Sequence, residues 1–256
     1  MIRRLEDKVV IITGAGSGIG FDMTTLFAKE GAKIVAGEWN EKTLVQVITN
    51  VQKVGGEITG VNINVANQTE AEKLVDKAVS TYNRLDVLCN NAGVMDLMAG
   101  VAEVTDEMWQ RVWNINVNGP MFLSRRAIPI MLKQGGGSIV NTASVAGIRG
   151  GAAGVAYTVS KHALVGLTRN TAWMYGPKGI RCNAMACGGV ETNIMTSVDM
   201  TKINPEGATR TGLYTSIMPT LLKPIDIANL ALFLASDESR YINGAIITAD
   251  AGWSIV

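Results

Sequence analysis

Seven short runs rich in β-branched and apolar residues alternate with segments long enough to form helices, and this alternation constrains the fold more than any other feature. Strands separated by helix-length segments need crossover connections, which build parallel sheets covered by helices on both faces. The sequence therefore predicts an α/β fold with a doubly wound parallel sheet. The predicted strands cover residues 8–13, 33–37, 57–65, 85–89, 137–141, 180–185 and 245–249.

The remaining segments predict helices within one domain. The first helix is predicted over residues 18–31, and the second begins near Asn40 and ends at Gly55. No linker or shift in composition divides the chain, so residues 1–256 are expected to form a single domain. The least regular stretch covers residues 192–222, and a segment of that length inside a compact domain is usually functional or disordered. It is the candidate lid over a substrate site.

The composition excludes several classes of function. The 256 residues carry 23 Lys+Arg against 22 Asp+Glu and are 47% hydrophobic, which argues against a disordered chain and against partners such as nucleic acid or an anionic membrane. No uncharged apolar stretch reaches the ~18 to 20 residues of a membrane helix. Three cysteines and one histidine favour neither a disulfide framework nor a metal site. We expect a cytoplasmic protein that binds small molecules or its own copies.

A glycine-rich turn joins the first strand to the first helix. Gly14, Gly18 and Gly20 follow a GxxxGxG spacing, not the strict GxGxxG of many dinucleotide sites. The first glycine permits a sharp turn, the second lets backbone approach a pyrophosphate, and the third allows close packing of the helix, whose N-terminus offers free N–H groups. The turn predicts a dinucleotide site, and a turn that only packs tightly is the alternative.

Glu38 stands at the end of the second predicted strand, 18 residues after Gly20. An acidic side chain at this place accepts hydrogen bonds from both ribose hydroxyls of an adenosine and repels a 2′-phosphate. Neither Ser17 nor Trp39 supplies a cation for that phosphate. Glu38 therefore predicts NAD(H) and not NADP(H) as the cofactor, with a solvated surface glutamate as the alternative.

Tyr157 and Lys161 stand four residues apart and share one face of a helix. A cation close to a phenol stabilises the phenolate and lowers the pKa of the tyrosine from about 10, so that the tyrosine can act as acid or base near neutral pH. Ser144 lies 13 residues earlier, just past a predicted strand, from where its hydroxyl can reach the same point. These three residues predict an acid/base site.

Together these motifs resemble the short-chain dehydrogenase/reductase family, in its simple form of about this length. The resemblance covers almost the whole chain and is also carried by the Asn90-Asn91-Ala92-Gly93 motif, by Asn116-Val117-Asn118-Gly119 and by the stretch from Asn183 to Thr192. It implies a Rossmann-like domain of seven strands, an NAD(H)-dependent oxidoreductase that interconverts a secondary alcohol and a ketone, and assembly into a homotetramer.

The resemblance also implies a role for each matching residue. Tyr157 would exchange a proton with the substrate oxygen while hydride moves to or from the nicotinamide. Ser144 would hydrogen-bond that oxygen, and Lys161 would bind the nicotinamide ribose and tune the tyrosine. Asn116 would hold a water that continues a proton relay, and Asn90 would lie along the adenosine ribose. The candidate cofactor-binding residues are Gly14, Ser17, Gly18, Ile19, Gly20, Glu38, Asn64, Val65, Asn90, Tyr157, Lys161, Val190 and Thr192.

Two departures from the family pattern lie at the expected cofactor site. The chain has Asn64-Val65 where many members have Asp-Val, and an amide there can still accept a hydrogen bond from the adenine amino group. It has Cys187-Gly188 where many members have Pro-Gly, which frees φ and restores an N–H, so the loop holding Val190 and Thr192 at the carboxamide is expected to be more mobile. Cys187 is either a reactive thiol or an inert small side chain.

Other functions and some details stay open on the sequence. The pattern also resembles 3-oxoacyl-carrier-protein reductases, which usually use NADPH, a preference that Glu38 opposes. A redox sensor that holds NAD without turnover is the alternative from another class, and such proteins typically lack the Tyr and Lys found here. Methionines such as Met95, Met98 and Met218 predict a medium-sized, partly apolar substrate. The C-terminal residues Trp253, Ile255 and Val256 are expected at the tetramer interface.

Overall fold

The computed structural model describes residues 3–255, in which seven parallel strands form one sheet. The strands are β1 (Val9–Thr13), β2 (Lys33–Glu38), β3 (Glu57–Asn62), β4 (Val87–Asn90), β5 (Gly137–Thr142), β6 (Ile180–Cys187) and β7 (Ile246–Ala249). Their order across the sheet is β3-β2-β1-β4-β5-β6-β7, and every neighbouring pair is parallel. This order confirms the predicted Rossmann-like, doubly wound α/β fold.

Helices cover both faces of the sheet. Those within residues 3–255 are α1 (Gly18–Lys29), α2 (Glu41–Lys53), α3 (Gln68–Tyr82), α4 (Asp106–Trp113), α5 (Gly119–Lys133), α6 (Val155–Tyr175), α7 (Pro205–Thr215) and α8 (Pro224–Ala235). Helices α1, α2 and α8 pack on one face, and α3, α5 and α6 pack on the other. Because alternate strand residues point to opposite faces, Val10 and Ile12 join the first core while Val9 and Ile11 join the second. Burial on both faces explains the unbroken apolar sequence of β1.

The strand order reverses at the centre of the sheet. From β1 the chain builds outward to β2 and β3 on one side, and β4 then lies on the other side of β1. In open α/β sheets, ligands bind in the crevice outside the carboxyl ends of the strands at such a reversal. The carboxyl ends of β1 and β4, at Thr13 and Asn90, therefore position the candidate site.

The end of β3 differs from the sequence prediction. The apolar pattern predicts a strand to residue 65, whereas β3 ends at Asn62. Asn64 leaves the strand because its backbone N–H donates to Glu70 Oε2 at 2.7 Å and its Oδ1 accepts from the Ala66 N–H at 3.0 Å. The chain turns at this point and brings residues 64–66 to the edge of the crevice.

Residues 192–222 contain regular structure that the sequence analysis did not identify. Short 3₁₀ turns occupy Ile194–Ser197 and Met200–Lys202, and α7 follows them. Asn204 caps α7 by accepting the Gly207 N–H at 2.7 Å, and Pro205 is its first residue. An asparagine cap followed by proline is a recognised start signal for a helix.

The expectation that Trp253 lies at a subunit interface is wrong. Its side chain is 5% exposed, and its Nε1 donates to the Tyr214 carbonyl oxygen at 2.8 Å. The centres of the Trp253 and Tyr214 rings lie 4.7 Å apart. The tryptophan therefore holds the end of α7 against the C-terminal segment. Ile255 is exposed, as an interface residue would be, and Val256 lies outside the described residues.

Two structural features are absent from the described part of the chain. No helix there is both long and apolar enough to cross a membrane. Residues 3–255 also contain no group of three or more His, Cys, Asp and Glu side chains placed to hold a metal ion.

Candidate active site

A cleft of about 1040 Å³ runs along the carboxyl ends of the strands. It begins beside Glu38, passes the glycine turn after β1 and reaches Tyr157 on α6. Twelve of the predicted site residues line it: Gly14, Ser17, Gly18, Ile19, Glu38, Asn64, Val65, Ser144, Tyr157, Lys161, Val190 and Thr192. The fold therefore brings together, in one cavity, residues that are up to 178 positions apart, from 14 to 192.

The glycine turn has the backbone that its sequence predicts. Gly14 and Gly18 have φ values of +63° and +50°, a region that other residues rarely adopt. A Cβ on Gly20 would overlap the Gly14 carbonyl oxygen, so Gly20 has the predicted packing role and does not line the cleft. Ser17 is the N-cap of α1 in extended conformation, and its side chain accepts no capping hydrogen bond from the described residues. The first N–H groups of α1 are thus available to an anion.

Two side chains hold the glycine turn against the segment after β4. Asn91 Nδ2 donates to the Thr13 carbonyl oxygen at 3.0 Å and to that of Gly14 at 3.3 Å. Thr13 Oγ1 in return accepts the N–H groups of Asn91 and Ala92, both at 3.1 Å. The turn is therefore fixed by hydrogen bonds across the strand reversal and not by its glycines alone.

Glu38 ends β2 at the edge of the cleft, beside the glycine turn. Its Oε2 accepts the Gly16 N–H at 2.9 Å, and its Oε1 accepts the Asn40 N–H at 3.0 Å. Each oxygen retains a free lone-pair direction because a carboxylate oxygen accepts about two hydrogen bonds. The carboxylate is therefore held in one place and can still accept hydrogen bonds from a ligand.

Tyr157, Lys161 and Ser144 meet at the opposite end of the cleft. Tyr157 and Lys161 are both buried on α6, and the lysine Nζ lies 5.4 Å from the centre of the tyrosine ring. That Nζ donates to the Thr142 carbonyl oxygen at 2.8 Å. Ser144 follows β5 and accepts the Ala146 N–H at 3.1 Å, which orients its hydroxyl oxygen at the start of a short 3₁₀ turn.

The pKa values of Tyr157 and Lys161 differ from those expected from the sequence. Burial raises the pKa of Tyr157 above its ordinary value, and the neighbouring Ser144 hydroxyl lowers it by a smaller amount. Burial also lowers the pKa of Lys161 to about 8. Lys161 is not among the groups that shift the pKa of Tyr157, for which burial is the largest cause, and its ammonium donates instead to the Thr142 carbonyl. With its pKa raised, Tyr157 is a neutral phenol at neutral pH.

Asn90 and Asn116 are buried and do not line the described cleft. Asn90 Nδ2 donates to Asn141 Oδ1 at 2.8 Å and to Ser124 Oγ at 3.3 Å. The side chain of Asn90, the last residue of β4, therefore points into the protein and not into the cleft, and its predicted place along the adenosine ribose stays a prediction. The next residue, Asn91, lines the cleft instead.

Asn116 lies in a π turn at Asn114–Asn118, between α4 and α5. Its Oδ1 accepts the Val94 N–H at 2.9 Å, and its Nδ2 donates to the Val94 carbonyl at 3.0 Å and to Ser160 Oγ at 3.1 Å. Both amide protons are used, so the side chain cannot donate to a water. The predicted role of Asn116 in holding a relay water stays a prediction.

One of the two departures from the family pattern, Cys187-Gly188, lies at the end of β6. Cys187 is the last residue of β6 and pairs with Ala249, so it extends the strand. Burial raises the pKa of its thiol to about 12, which makes the thiol an inert side chain. The Gly188 N–H donates to the Ala249 carbonyl at 2.9 Å. Thr192 lies over the glycine turn, where a Cβ on Gly18 would be 3.0 Å from its methyl carbon.

Sequence reasoning missed three residues that shape the site. Asn91 belongs to the Asn90-Asn91-Ala92-Gly93 motif, and strand alternation from Asn90 would have placed it in the cleft. Arg111 on α4 lines the cleft and donates to the Ser197 carbonyl at 2.7 Å. Asp96 is buried behind Tyr157 and accepts its N–H. No local pattern marks Arg111 or Asp96, because Ser197 lies 86 residues from Arg111 and Tyr157 lies 61 residues from Asp96.

Comparison with known proteins agrees with this geometry. Residues 14–254 match the profile of the family described as Enoyl-(Acyl carrier protein) reductase. The chain is 39% identical to 3beta-hydroxysteroid dehydrogenase 2 of Eggerthella lenta, over 98% of this chain and 96% of that protein. It is also 39% identical to the 3-oxoacyl-acyl-carrier-protein reductase of Thermotoga maritima, over 97% and 98% of the two chains. A short-chain dehydrogenase from Mycobacterium paratuberculosis bound to NAD superposes with a TM-score of 0.90 at 30% identity, covering 99% of this chain and 100% of that one.

Proposed function

The chain belongs to the short-chain dehydrogenase/reductase family of oxidoreductases, and we propose that it transfers hydride between NAD(H) and a secondary alcohol or ketone, with Tyr157 as the acid or base. The family fixes the class of reaction. The choice of cofactor, the roles of single residues and the type of substrate rest on the cleft itself.

The cleft has the features that a dinucleotide needs. Its volume is sufficient, since ligand pockets commonly measure ~300 to 1,000 Å³. The positive φ values of Gly14 and Gly18 leave backbone exposed beside the N-terminus of α1, where the uncapped N–H groups suit a pyrophosphate. Asn64 and Val65 would contact the adenine, and Val190 and Thr192 the carboxamide at the other end of the cofactor.

The position of Glu38 is the observation that carries the choice of NAD(H). Two backbone N–H groups hold its carboxylate at the cleft edge, where an adenosine ribose would lie beside the glycine turn. A 2′-phosphate would meet this charge. Among the described residues of the cleft lining the cations are Arg111 and Lys161, and both belong to the Tyr157 end. A 2′-phosphate would therefore be both repelled and unpaired.

The residues at the Tyr157 end divide the proton chemistry among them. When bound, the nicotinamide supplies or accepts the hydride. The Tyr157 hydroxyl donates a proton to the substrate oxygen in reduction and accepts it in oxidation, while the Ser144 hydroxyl donates a hydrogen bond to the same oxygen. Lys161 would bind the nicotinamide ribose, and its positive charge would assist loss of the tyrosine proton. Asn116 would support the relay by fixing Val94 and the π turn.

The substrate end of the cleft is mainly apolar. Its lining includes Met95, Met98, Met195, Met218, Leu221 and Trp253. Flexible thioethers adapt to ligands of irregular shape, so we infer a medium-sized substrate with an apolar body and one reacting oxygen. Residues 192–222 border this end and would act as the lid that excludes water.

Ketoreduction on an acyl carrier protein is the second candidate, because a curated relative with that activity is 39% identical. It uses the same acid/base group and differs in substrate and in its usual NADPH preference, which Glu38 opposes. A non-catalytic NAD sensor is disfavoured by the presence of Tyr157, Lys161 and Ser144 in one cleft. A homotetramer in a reducing compartment completes the proposal, and sedimentation at the monomer mass would contradict the tetramer.

A screen of alcohols, sugars, sterols and ketones with each cofactor tests the proposal, with the absorbance of the reduced nicotinamide as the signal. We expect turnover of an apolar secondary alcohol or ketone, with kcat/KM at least ~10²-fold higher for NAD(H) than for NADP(H) because of the repelled phosphate. Equal use of both cofactors would contradict the role of Glu38. Tight NADH binding without turnover of any compound would favour the sensor.

A further inference from the structure

We propose that Asp96 is a positioning residue for Tyr157: its carboxylate caps the helix that carries the tyrosine and joins the start of this helix to the loop at the substrate end of the cleft. The inference rests on the proposed function, since it concerns how the acid/base group of that reaction is held. Asp96 does not line the described cleft and acts only through Tyr157.

Helix α6 lacks a cap of its own. Its N-cap residue is Gly154, which has no side chain to accept the N–H groups of the first turn. Backbone N–H groups that are buried without a hydrogen-bond partner destabilise the folded protein. Asp96 supplies the missing acceptors: its Oδ2 accepts the Tyr157 N–H at 2.9 Å and its Oδ1 accepts the Gly154 N–H at 3.2 Å. The backbone of Tyr157 is therefore bonded directly to this carboxylate.

The glycine at the cap is required by the same arrangement. A Cβ on Gly154 would lie 2.6 Å from Asp96 Oδ2 and 2.8 Å from the Ala99 backbone nitrogen. Position 154 is therefore too crowded for the serine, threonine or asparagine that usually caps a helix. The local cap has been replaced by a remote one, 58 residues earlier in the chain.

The carboxylate also bonds to its own loop, residues 95–99, which we call the 95–99 loop. Asp96 Oδ1 also accepts the Met98 N–H at 3.0 Å, and Met98 has a φ of +58°, which is strained for a residue other than glycine. The Ala99 carbonyl accepts the Val155 N–H at 2.9 Å. The loop and the first turn of α6 thus form one hydrogen-bonded unit with Asp96 at its centre.

This unit faces the substrate from one side and the candidate lid from the other. Met95 and Met98 line the cleft together with Tyr157. The Met95 N–H donates to Ser197 Oγ at 3.1 Å, and the Leu97 carbonyl accepts the Asn204 N–H at 2.9 Å. Asp96 therefore sets the distance between the tyrosine and the surfaces that hold the substrate.

Only a carboxylate satisfies all three N–H groups. An amide has one oxygen, so an asparagine would turn its NH₂ group towards at least one N–H donor. Asp96 is 1% exposed and forms no ion pair with any described residue, which makes its burial costly unless its bonds to Tyr157, Gly154 and Met98 offset that cost. Its negative charge also raises the pKa of the Tyr157 phenol, consistent with close approach.

The test compares Asp96→Asn with Asp86→Asn. Asp86 is a matched control because it also accepts a backbone N–H across the fold, that of Val9 at 2.8 Å, but lies before β4 at the opposite edge of the sheet from the cleft. For each variant, kcat and KM are measured per NADH-binding site, NADH affinity is measured by fluorescence, and amide hydrogen exchange is followed over residues 154–160. These readouts separate positioning from a loss of folded protein.

We expect Asp96→Asn to lower kcat at least ~10-fold per NADH-binding site, because misplacement by ~1 Å can reduce a rate by ~10². NADH affinity should stay within about 2-fold of the parent, and the Tyr157 amide should exchange faster. Asp86→Asn should leave kcat, NADH affinity and exchange of the Tyr157 amide unchanged. Should Asp96→Asn fail to fold, Asp96→Ser, whose hydroxyl can serve one N–H, is expected to show the same pattern.

The proposal would be overturned if kcat per NADH-binding site were unchanged in Asp96→Asn, or if kcat fell equally in Asp86→Asn. It would also be overturned if the Tyr157 amide of Asp96→Asn exchanged as slowly as in the parent. A parent enzyme without turnover on any alcohol or ketone would instead refute the proposed function. In that event the hydrogen-exchange comparison still decides whether Asp96 holds the first turn of α6.

Discussion

Glu38 is held by the fold at the position on which the proposed cofactor selectivity depends. Its carboxylate accepts two backbone N–H groups, from Gly16 in the glycine turn and from Asn40 at the start of α2. These bonds fix the charge at the place where an adenosine ribose would lie. Because the side chain is held, the repulsion of a 2′-phosphate cannot be relieved by rotation of Glu38 into solvent.

Replacing Glu38 by glutamine separates its charge from its shape. Glu38→Gln keeps an oxygen for the ribose but removes the repulsion, so the ratio of kcat/KM for NAD over NADP should fall by about 10-fold or more. The pair Glu38→Ser and Trp39→Arg, which adds a cation, should narrow the ratio further or reverse it. Steady-state kinetics with both cofactors measures these ratios. An unchanged ratio in Glu38→Gln would show that the carboxylate does not meet the ribose.

Lys161 predicts a pH dependence of cofactor binding. Burial lowers its pKa from 10.5 to about 8, so the ammonium is present below about pH 8 and is lost as the pH rises through that value. The charged form donates hydrogen bonds more strongly, so NADH affinity should be highest below pH 8 and should weaken above it. Fluorescence titration between about pH 6.5 and 9.5 measures this change. Lys161→Met should bind NADH more weakly with no such slope, and a flat profile in the parent would contradict the role of Lys161.

Asn90 and Asn91 show what sequence alone could not decide at single residues. Both amides belong to the same motif, and either could contact a ribose. Only the register of β4 determines that Asn90 points inward to Asn141 while Asn91 reaches the glycine turn. The glycines, Glu38 and Tyr157 were predictable because each follows from local spacing, whereas Asp96 depends on contacts between distant segments.

The elements of this fold were predictable to different degrees. The central strands and α1 follow from apolar runs and from the glycine turn. Helix α7 was missed because glycine and threonine make its sequence a weak helix former, although its Asn204 cap and Pro205 were visible signals. It is held in place by tertiary contacts, above all by Trp253, whose ring packs against Tyr214.

Removing the contact between Trp253 and α7 should loosen the candidate lid. Trp253→Phe keeps an aromatic ring but deletes the hydrogen bond to the Tyr214 carbonyl, a loss of about 1 kcal/mol. We expect faster hydrogen exchange over residues 205–215 and a raised KM for an apolar substrate, with unchanged NADH affinity. The control is Trp173→Phe, since Trp173 is 79% exposed on α6. Equal exchange over α7 in both variants would show that Trp253 does not hold the segment.

Across the whole molecule, hydrogen bonds connect the two ends of the cleft. Asn91 Nδ2 donates to the Thr13 carbonyl at 3.0 Å, Thr142 Oγ1 donates to Asn91 Oδ1 at 3.3 Å, and Lys161 Nζ donates to the Thr142 carbonyl at 2.8 Å. This series joins β1, β4, β5 and α6 across the strand reversal. The fold thus sets the glycine turn and the acid/base end in a fixed relation, which a reaction between a cofactor and a substrate requires.

The proposed reaction depends on Tyr157 as the group that moves a proton. Tyr157→Phe keeps the ring and most of its packing and deletes that proton. The matched control is Tyr175→Phe, near the other end of the same helix. Turnover per NADH-binding site, on a substrate that the parent converts, is the most direct test. General acid–base catalysis contributes ~10² to 10⁴ in rate, so Tyr157→Phe should lose at least ~10² in kcat while NADH binding and Tm stay close to the parent values. A Tyr157→Phe enzyme with turnover near that of the parent and of Tyr175→Phe would contradict the assignment of the active site.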